Sequence, residues 1–244
     1  MTETLPPPSF RPLYEQIKIL ITQSLVAGEW KPGEAIPSEV ELAARFRVSQ
    51  GTVRKAIDEL ASEHILVRRQ GKGTYVASHS EPSYQYRFLR VMPDSGEKLH
   101  PHSVLVEVRK GRASAEIARA LAIKAASPVH VILRVREFRG RPLILDEMVL
   151  AASRFPGLTV PKLEEYKGSM YSFYEAVYGL RMIRAEERIR AVAADAGAAA
   201  HLRVAPGTPL LCVDRIAFTY GDMPVEWRRG LCVTDGFSYF NELA

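Results

Sequence analysis

The stretch Ser49-Gln50-Gly51-Thr52-Val53-Arg54-Lys55 sets an amide, two hydroxyls and two cations within two helical turns. A glutamine amide can pair bidentately with the major-groove edge of adenine, and an arginine with that of guanine. Gln50 and Arg54, one turn apart, are therefore candidate base readers. Further on, Arg68-Arg69-Gln70-Gly71-Lys72-Gly73-Thr74 forms a basic tip interrupted by glycines. Ser38, Ser49, Thr52 and Thr74 offer hydroxyls to phosphates, Gln70 an amide, and Lys55, Arg69 and Lys72 charge. Between Arg45 and Ala77, seven basic residues stand against Asp58, Glu59 and Glu63, so the basic surplus is local. Phosphate is its natural counterpart.

Three helices and a hairpin must position these groups. Leu13, Ile17, Leu20, Ile21 and Leu25 recur at helical spacing and stop at Gly28. Pro37 precedes Ser38, which with Glu41 forms a capping box. The box predicts a helix with Val40, Leu42, Ala43 and Phe46 inward. After a turn at Arg47-Val48, Ser49 caps a third helix with Val53, Ile57, Leu60 and Ala61 on its inner face. Leu66 to Gln70 and Thr74 to Val76 then read as a hairpin. Two short capped helices joined by a tight turn and followed by a basic hairpin make a winged helix-turn-helix.

A second set of candidates lies beyond residue 88. Val129 to Phe138 alternates as a strand, a Gly140-Arg141 turn follows, and Leu143 to Leu150 is the partner. Pairing Arg139 with Pro142 places Arg134 opposite Glu147 and Arg136 opposite Leu145, all on one face. Ser169 caps a predicted helix from Met170 to Tyr178 that ends at Gly179. A helix N-terminus with free amides attracts anions, and Arg134 and Arg136 facing it would complete a clamp for a carboxylate or phosphate. A second hairpin, Leu210 to Tyr220 followed by a strand bearing Glu226 and Arg228, repeats the first. Pro142 and Pro224 fall at matching points, which points to two related halves.

The composition narrows the classes. With 47% hydrophobic and 25% charged residues the chain should fold throughout, and its formal charge of +5 suits a polyanionic partner. The sequence shows neither a leader-like start nor a run of eighteen apolar residues, so a soluble cytoplasmic protein without a membrane partner is expected. Cys212 and Cys232 each sit in an apolar run and read as reduced core thiols. Neither a metal site nor a cofactor is expected, since His100-Pro101-His102 reads as loop. Catalysis is not expected either, for want of a Ser-His-Asp ordering, a Walker loop or a His/Cys ligand set.

Pro37-Ser38-Glu39, Glu41-Leu42-Ala43, Val48 through Arg54 and Arg68 through Thr74 resemble the GntR family of bacterial regulators. The departures are Val40, where the family often has Arg, and Gln50-Gly51, where it often has Arg-Thr. From about Phe88 onward, Arg134-x-Arg136, Ser169-x-Tyr171 and Pro224-Val225-Glu226 resemble the UTRA effector domain of its HutC subfamily. That resemblance implies an α+β protein: residues 1–77 a winged helix-turn-helix, 78–87 a linker, and 88–244 a chorismate-lyase-like antiparallel sheet that dimerises and binds a metabolite. It adds Glu147, Tyr171 and Glu226 to Arg134, Arg136 and Ser169 as pocket residues, and it places Cys232 where relatives can add an aromatic ligand contact. The expected partners are double-stranded operator DNA, a small effector bearing a carboxylate or phosphate, and a second copy of the chain. Repression is the expected sign of control.

Overall fold

The computed structural model describes residues 11–81, 87–97 and 101–242, so residues 82–86 of the expected linker and His100 lie outside the described residues. The chain divides into two compact units between Ser78 and His79.

In the first unit, α1 (Leu13–Val26) buries Ile17, Ile21 and Leu25, one ridge at i, i+4 spacing, against α3. Leu13 and Leu20 were expected on that ridge, but they flank it and stay largely exposed. Helix α2 (Glu39–Phe46) opens on the expected capping box: the Glu41 amide donates to Ser38 Oγ at 3.3 Å, and the Ser38 amide to Glu41 Oε2 at 2.8 Å. Its inward side chain is Leu42. Val40, expected inward, is exposed because the second helical position turns away from α3. Arg47 leaves α2 in a left-handed conformation, Ser49 caps α3 (Gln50–Ser62), and Val53, Ala56, Ile57 and Leu60 are buried. The wing pairs β1 (Leu66–Arg69) with β2 (Gly73–Val76). The segment before α2 runs along β2, with the Ile36 amide donating to the Thr74 carbonyl at 2.9 Å, and Thr74 is buried.

The second unit is built on one antiparallel sheet. Its strands are β4 (His102–Arg112), β5 (Pro128–Phe138), β6 (Arg141–Ala151), β7 (Arg184–Ala193), β8 (Pro209–Thr219) and β9 (Met223–Cys232), in the order β4-β5-β6-β9-β8-β7. A short ribbon of β3 (Val91–Pro93) and β10 (Phe237–Tyr239) is separate from it. Helix α4 (Ala115–Ala120) follows β4 and helix α7 (Ala196–Leu202) follows β7. The run β4-α4-β5-β6 is thus repeated as β7-α7-β8-β9, and the repeats meet at β6 and β9. The likeness of the two hairpins in sequence is the trace of this repeat. Helix α5 (Val160–Glu165) and helix α6 (Met170–Tyr178) lie between the halves in sequence. Tyr171, Phe173 and Tyr174 of α6 pack with Ile132, Met148 and Leu150 on one face of the sheet, while Ala118 and Leu121, in and just after α4, pack with Val131, Val149 and Trp227 on the other. Among the described residues, no helix is long and apolar enough to cross a membrane.

The first hairpin corrects the expected register. Its turn residues are Arg139 (φ 52°) and Gly140 (φ 77°), one residue earlier than expected, because a two-residue turn with both φ values positive fits the strand twist. Phe138 then pairs with Arg141. Pro142 has no N–H for the ladder, and a bulge follows between Arg136 and Glu137. The net shift of one residue sets Arg134 opposite Asp146 and Arg136 opposite Ile144. Glu147 therefore moves to the other face, beside Leu133 and Arg229. The second hairpin carries a bulge at the matching place, between Ala217 and Phe218, where Pro224 pairs.

Candidate functional site

The first candidate site is the N-terminal end of α3. Gln50 and Arg54 are exposed there, and both reach back to Glu39 at the start of α2: Gln50 Nε2 lies 3.2 Å and Arg54 Nε 2.9 Å from Oε2. Arg68 of the wing donates to the other carboxylate oxygen at 2.9 Å and to Asp58 as well. Burial pushes the Glu39 carboxyl up, but the hydrogen bonds from Arg54, Arg68 and Gln50 outweigh it and hold the group below its ordinary value. Glu39 and Arg68 were not among the expected site residues. Their signal is three-dimensional, since three donors spread over eighteen residues meet on one carboxylate.

Several expected contacts are already engaged within the unit. Lys55 Nζ sits 3.8 Å over the Tyr14 ring and Arg69 lies 4.1 Å over Tyr75. Ser49 Oγ and Thr52 Oγ1 bond each other at 2.8 Å, and Ser38 caps α2. Thr74, being buried, is withdrawn from the surface, whereas Gln70 and Lys72 are exposed at the wing tip. Arg45, counted in the basic surplus, is paired with Glu29. Gln50 and Arg54, though bonded to Glu39, face outward together with Gln70 and Lys72, with Arg68 at their edge.

The second candidate site is a cavity of about 760 Å³ on the α6 face of the sheet, lined by Arg134, Arg136, Ser169, Tyr171, Arg215 and Arg228, among others. Alternation along the strands sends all four arginines to that face. Asp146, wholly buried on β6, holds three of them. Arg134 Nε and Arg136 Nη2 donate to it at 3.1 Å each, and Arg228 Nη1 lies 3.7 Å away. Arg136 Nε, 2.9 Å from Oδ2, is a charge contact without hydrogen-bond alignment. Burial alone would raise the Asp146 pKa. The fields of Arg136, Arg228 and Arg134 more than reverse that and hold it far below the ordinary value. Burial also brings Arg134 down to about 10, which leaves it charged at neutral pH.

Glu226 forms a floor under the cavity rather than its lining. It accepts from Arg228 Nε at 2.8 Å and Nη2 at 2.9 Å, from the Tyr174 hydroxyl at 2.7 Å and from the Tyr171 hydroxyl at 3.1 Å. Burial and the nearby Glu226 charge raise the pKa values of both tyrosines, so they remain protonated donors. Ser169 lines the mouth and caps α6, accepting from the Ser172 amide at 3.1 Å. Arg215 donates to Glu187 and to the Phe88 carbonyl. The structure thus brings Arg134, Arg136, Ser169 and Tyr171 together, sets Glu226 beneath them and leaves Glu147 out. Asp146, Arg215 and Arg228 were missed. Arg228 could have been found two residues after Glu226 on the same strand face, whereas Asp146 depended on the register.

The first residue of this unit, His79, lies in the expected linker yet is buried. Its amide donates to Glu175 Oε2 at 3.1 Å, and its ring packs 5.6 Å from Tyr171. Cys212 and Cys232 are free and buried, and burial pushes the Cys232 thiol up to about 12.

Residues 13–76 match the bacterial regulatory proteins of the gntR family, and residues 96–238 match the UTRA domain. The chain belongs to the GntR family and carries a UTRA domain; it is a transcriptional regulator, not an enzyme. It is 30% identical over 223 residues to the HTH-type transcriptional regulator YurK of Bacillus subtilis, covering 89% of each chain. It is 32% identical over 185 residues to the mannosyl-D-glycerate transport/metabolism system repressor MngR of Escherichia coli, covering 73% of this chain and 74% of that one. Its second unit resembles the ligand-binding domain of a GntR-family regulator from Bordetella bronchiseptica at 44% identity and a TM-score of 0.64, over 65% of this chain and 99% of that one. PhnF of Mycobacterium smegmatis shares the fold at 24% identity and a TM-score of 0.55, over 93% of this chain and 99% of that one.

Proposed function

We propose that the chain is a dimeric repressor whose grip on operator DNA is released by a small anionic metabolite bound in the UTRA cavity. Residues 1–77 hold the DNA and residues 88–244 take the effector and the second copy of the chain. The observation that carries the reading is the cavity itself, which gathers three buried arginines and a partly buried fourth, Arg136, beside a helix N-terminus. On the DNA side, Gln50 and Arg54 read base edges while Lys72 and Gln70 meet the backbone. A two-fold dimer presents two recognition helices to half-sites about one helical turn apart. That relatives such as MngR are named repressors supports the sign.

A coupling element lies in the segment that enters the second unit. The Phe88 carbonyl is held by Arg215, its ring meets Tyr171 edge-on at 5.6 Å, and Phe88 and Leu89 line the cavity. An anion that draws Arg215 toward itself loosens that hold on the Phe88 segment. The ligand shifts the equilibrium by as much as its affinities for the two arrangements differ. The test is to select an operator from random duplex DNA with the intact protein, then titrate it by fluorescence anisotropy with and without candidate anions. Release by a saturating anion is expected, and unchanged affinity under saturation would sink the reading.

A further inference from the structure

We infer that the cavity takes a molecule with a single acid group on an uncharged, largely apolar body. The acid lies against the arginines, and the body lies along a hydrocarbon and aromatic wall that runs from them to the mouth. This deepens the effector reading above and rests on it.

Charge limits the ligand to one acid group. The four arginines and Lys167 at the rim face Asp146, Glu226, Glu187 and Glu164, which leaves one positive charge. Asp146 draws Arg134, Arg136 and Arg228 together, so they present one cationic surface. One carboxylate there brings the cavity to neutrality. A second carboxylate, or a doubly charged phosphate, adds an unpaired negative charge beside arginines that are more than nine-tenths buried, where water offers little relief.

Size requires more than the acid. A carboxylate fills about the space of two water molecules, roughly 60 Å³. The cavity measures about 760 Å³, so most of it falls to the body that carries the acid.

The walls define that body. On β4 the residue across from Arg134 is Leu105, and both line the cavity. Ile132, Leu163, Tyr166, Met170 and Phe88 extend the apolar lining from the elements around it. All of these except the fully buried Ile132 are only partly buried, with one side packed on the core and the other open to the cavity. An apolar body laid along them removes that open area from water, which is favourable in proportion to the area covered. Hydrogen-bonding groups are scarce on this path. Ser169 Oγ is engaged with Ser172 and the Tyr171 hydroxyl with Glu226, while His102, Ser103, Glu164 and Lys167 are exposed at the rim. A body rich in hydroxyls would give up its hydration for few partners.

The test is isothermal titration of the intact protein with phenylacetate and its homologues lengthened by one and two methylenes. Beside them stand the primary amide of the best acid, gluconate, adipate and glycerol phosphate. Each methylene buried on the wall should tighten binding about threefold to fourfold. The amide keeps the body and loses the charge, and should bind at least about tenfold more weakly than its acid. Gluconate, with one acid on a hydroxylated body, and adipate, with a second charge, should each fall below every phenyl acid. Leu163→Gln, at a partly buried wall position, should cut the gain to less than about twofold per methylene. Circular dichroism checks its fold, and Met170→Gln takes its place if it does not fold. Affinity that does not rise with the apolar body, tighter binding of gluconate, adipate or glycerol phosphate, or no binding by any phenyl acid would overturn this inference while leaving control by another anion standing. A phenyl acid that binds with the stated preference yet leaves operator affinity unchanged would overturn the control reading and leave this one intact.

Discussion

In each candidate site two or three arginines meet on one carboxylate, and the two arrangements differ mainly in water. Glu39 holds Arg54, Arg68 and Gln50 at the surface, where the two arginine side chains keep 59% and 41% of their exposure. Asp146 holds Arg134, Arg136 and Arg228 where almost none remains. Exposed pairs contribute about 0–1 kcal/mol, so Arg54 can leave Glu39 for a base edge at little cost. Buried pairs have given up their hydration, and breaking one costs several kcal/mol. The DNA-binding unit can therefore exchange partners, whereas the network around Asp146 keeps those it has.

The largest expected effect tests that contrast directly. Asp146→Ala should lower stability by about 3–5 kcal/mol in urea unfolding, and Glu39→Ala by less than about 1 kcal/mol; similar losses would erase the distinction. The same pair separates in acid. A carboxylate whose folded pKa is depressed contributes its full stability above its unfolded pKa, near 3.8 for Asp146, and loses that contribution as the pH falls further. Acid unfolding followed by circular dichroism should be steep below about pH 4 in the wild type and flatter in Asp146→Ala.

Next in size, Arg54→Ala should cost about 1–3 kcal/mol on the selected operator and little on random DNA, measured by anisotropy. Equal losses on both would make Arg54 a phosphate contact. Lys72→Ala is expected to weaken all sequences alike and to reduce the slope of log affinity against log salt by about one. The smallest effect belongs to Lys55→Ala. If Lys55 serves mainly to pack over Tyr14, the variant should lose about 0.5–1 kcal/mol of stability with its salt slope unchanged. A changed slope would return Lys55 to the DNA interface.

Local chemistry made much of this molecule legible in the sequence. Ser38 with Glu41, Ser49 before α3, and Ser169 with Gly179 around α6 mark helix ends through hydrogen bonds spanning a few residues, and those helices form where the residues say. Alternation through Val129 to Phe138 marked a strand, and the matching prolines marked a repeat. Burial at helix flanks was less legible: Val40 and Leu20 are apolar but stay largely exposed.

Only the tertiary structure decided which side chains meet. Glu147 was expected beside Arg134 because counting back from a turn assumes an unbroken ladder. A turn one residue earlier and a bulge next to Pro142 put Asp146 there instead. Glu39 gathers three donors from two other elements, α3 and β1, and Arg215 reaches the Phe88 carbonyl across 127 positions of sequence. By itself the sequence determined the capped helices, the strands of the two hairpins and the kinds of groups available, since caps, turns and periodicity act over a few residues. The partners of the buried charges follow from sheet register and strand order, which arise only when distant segments pack together.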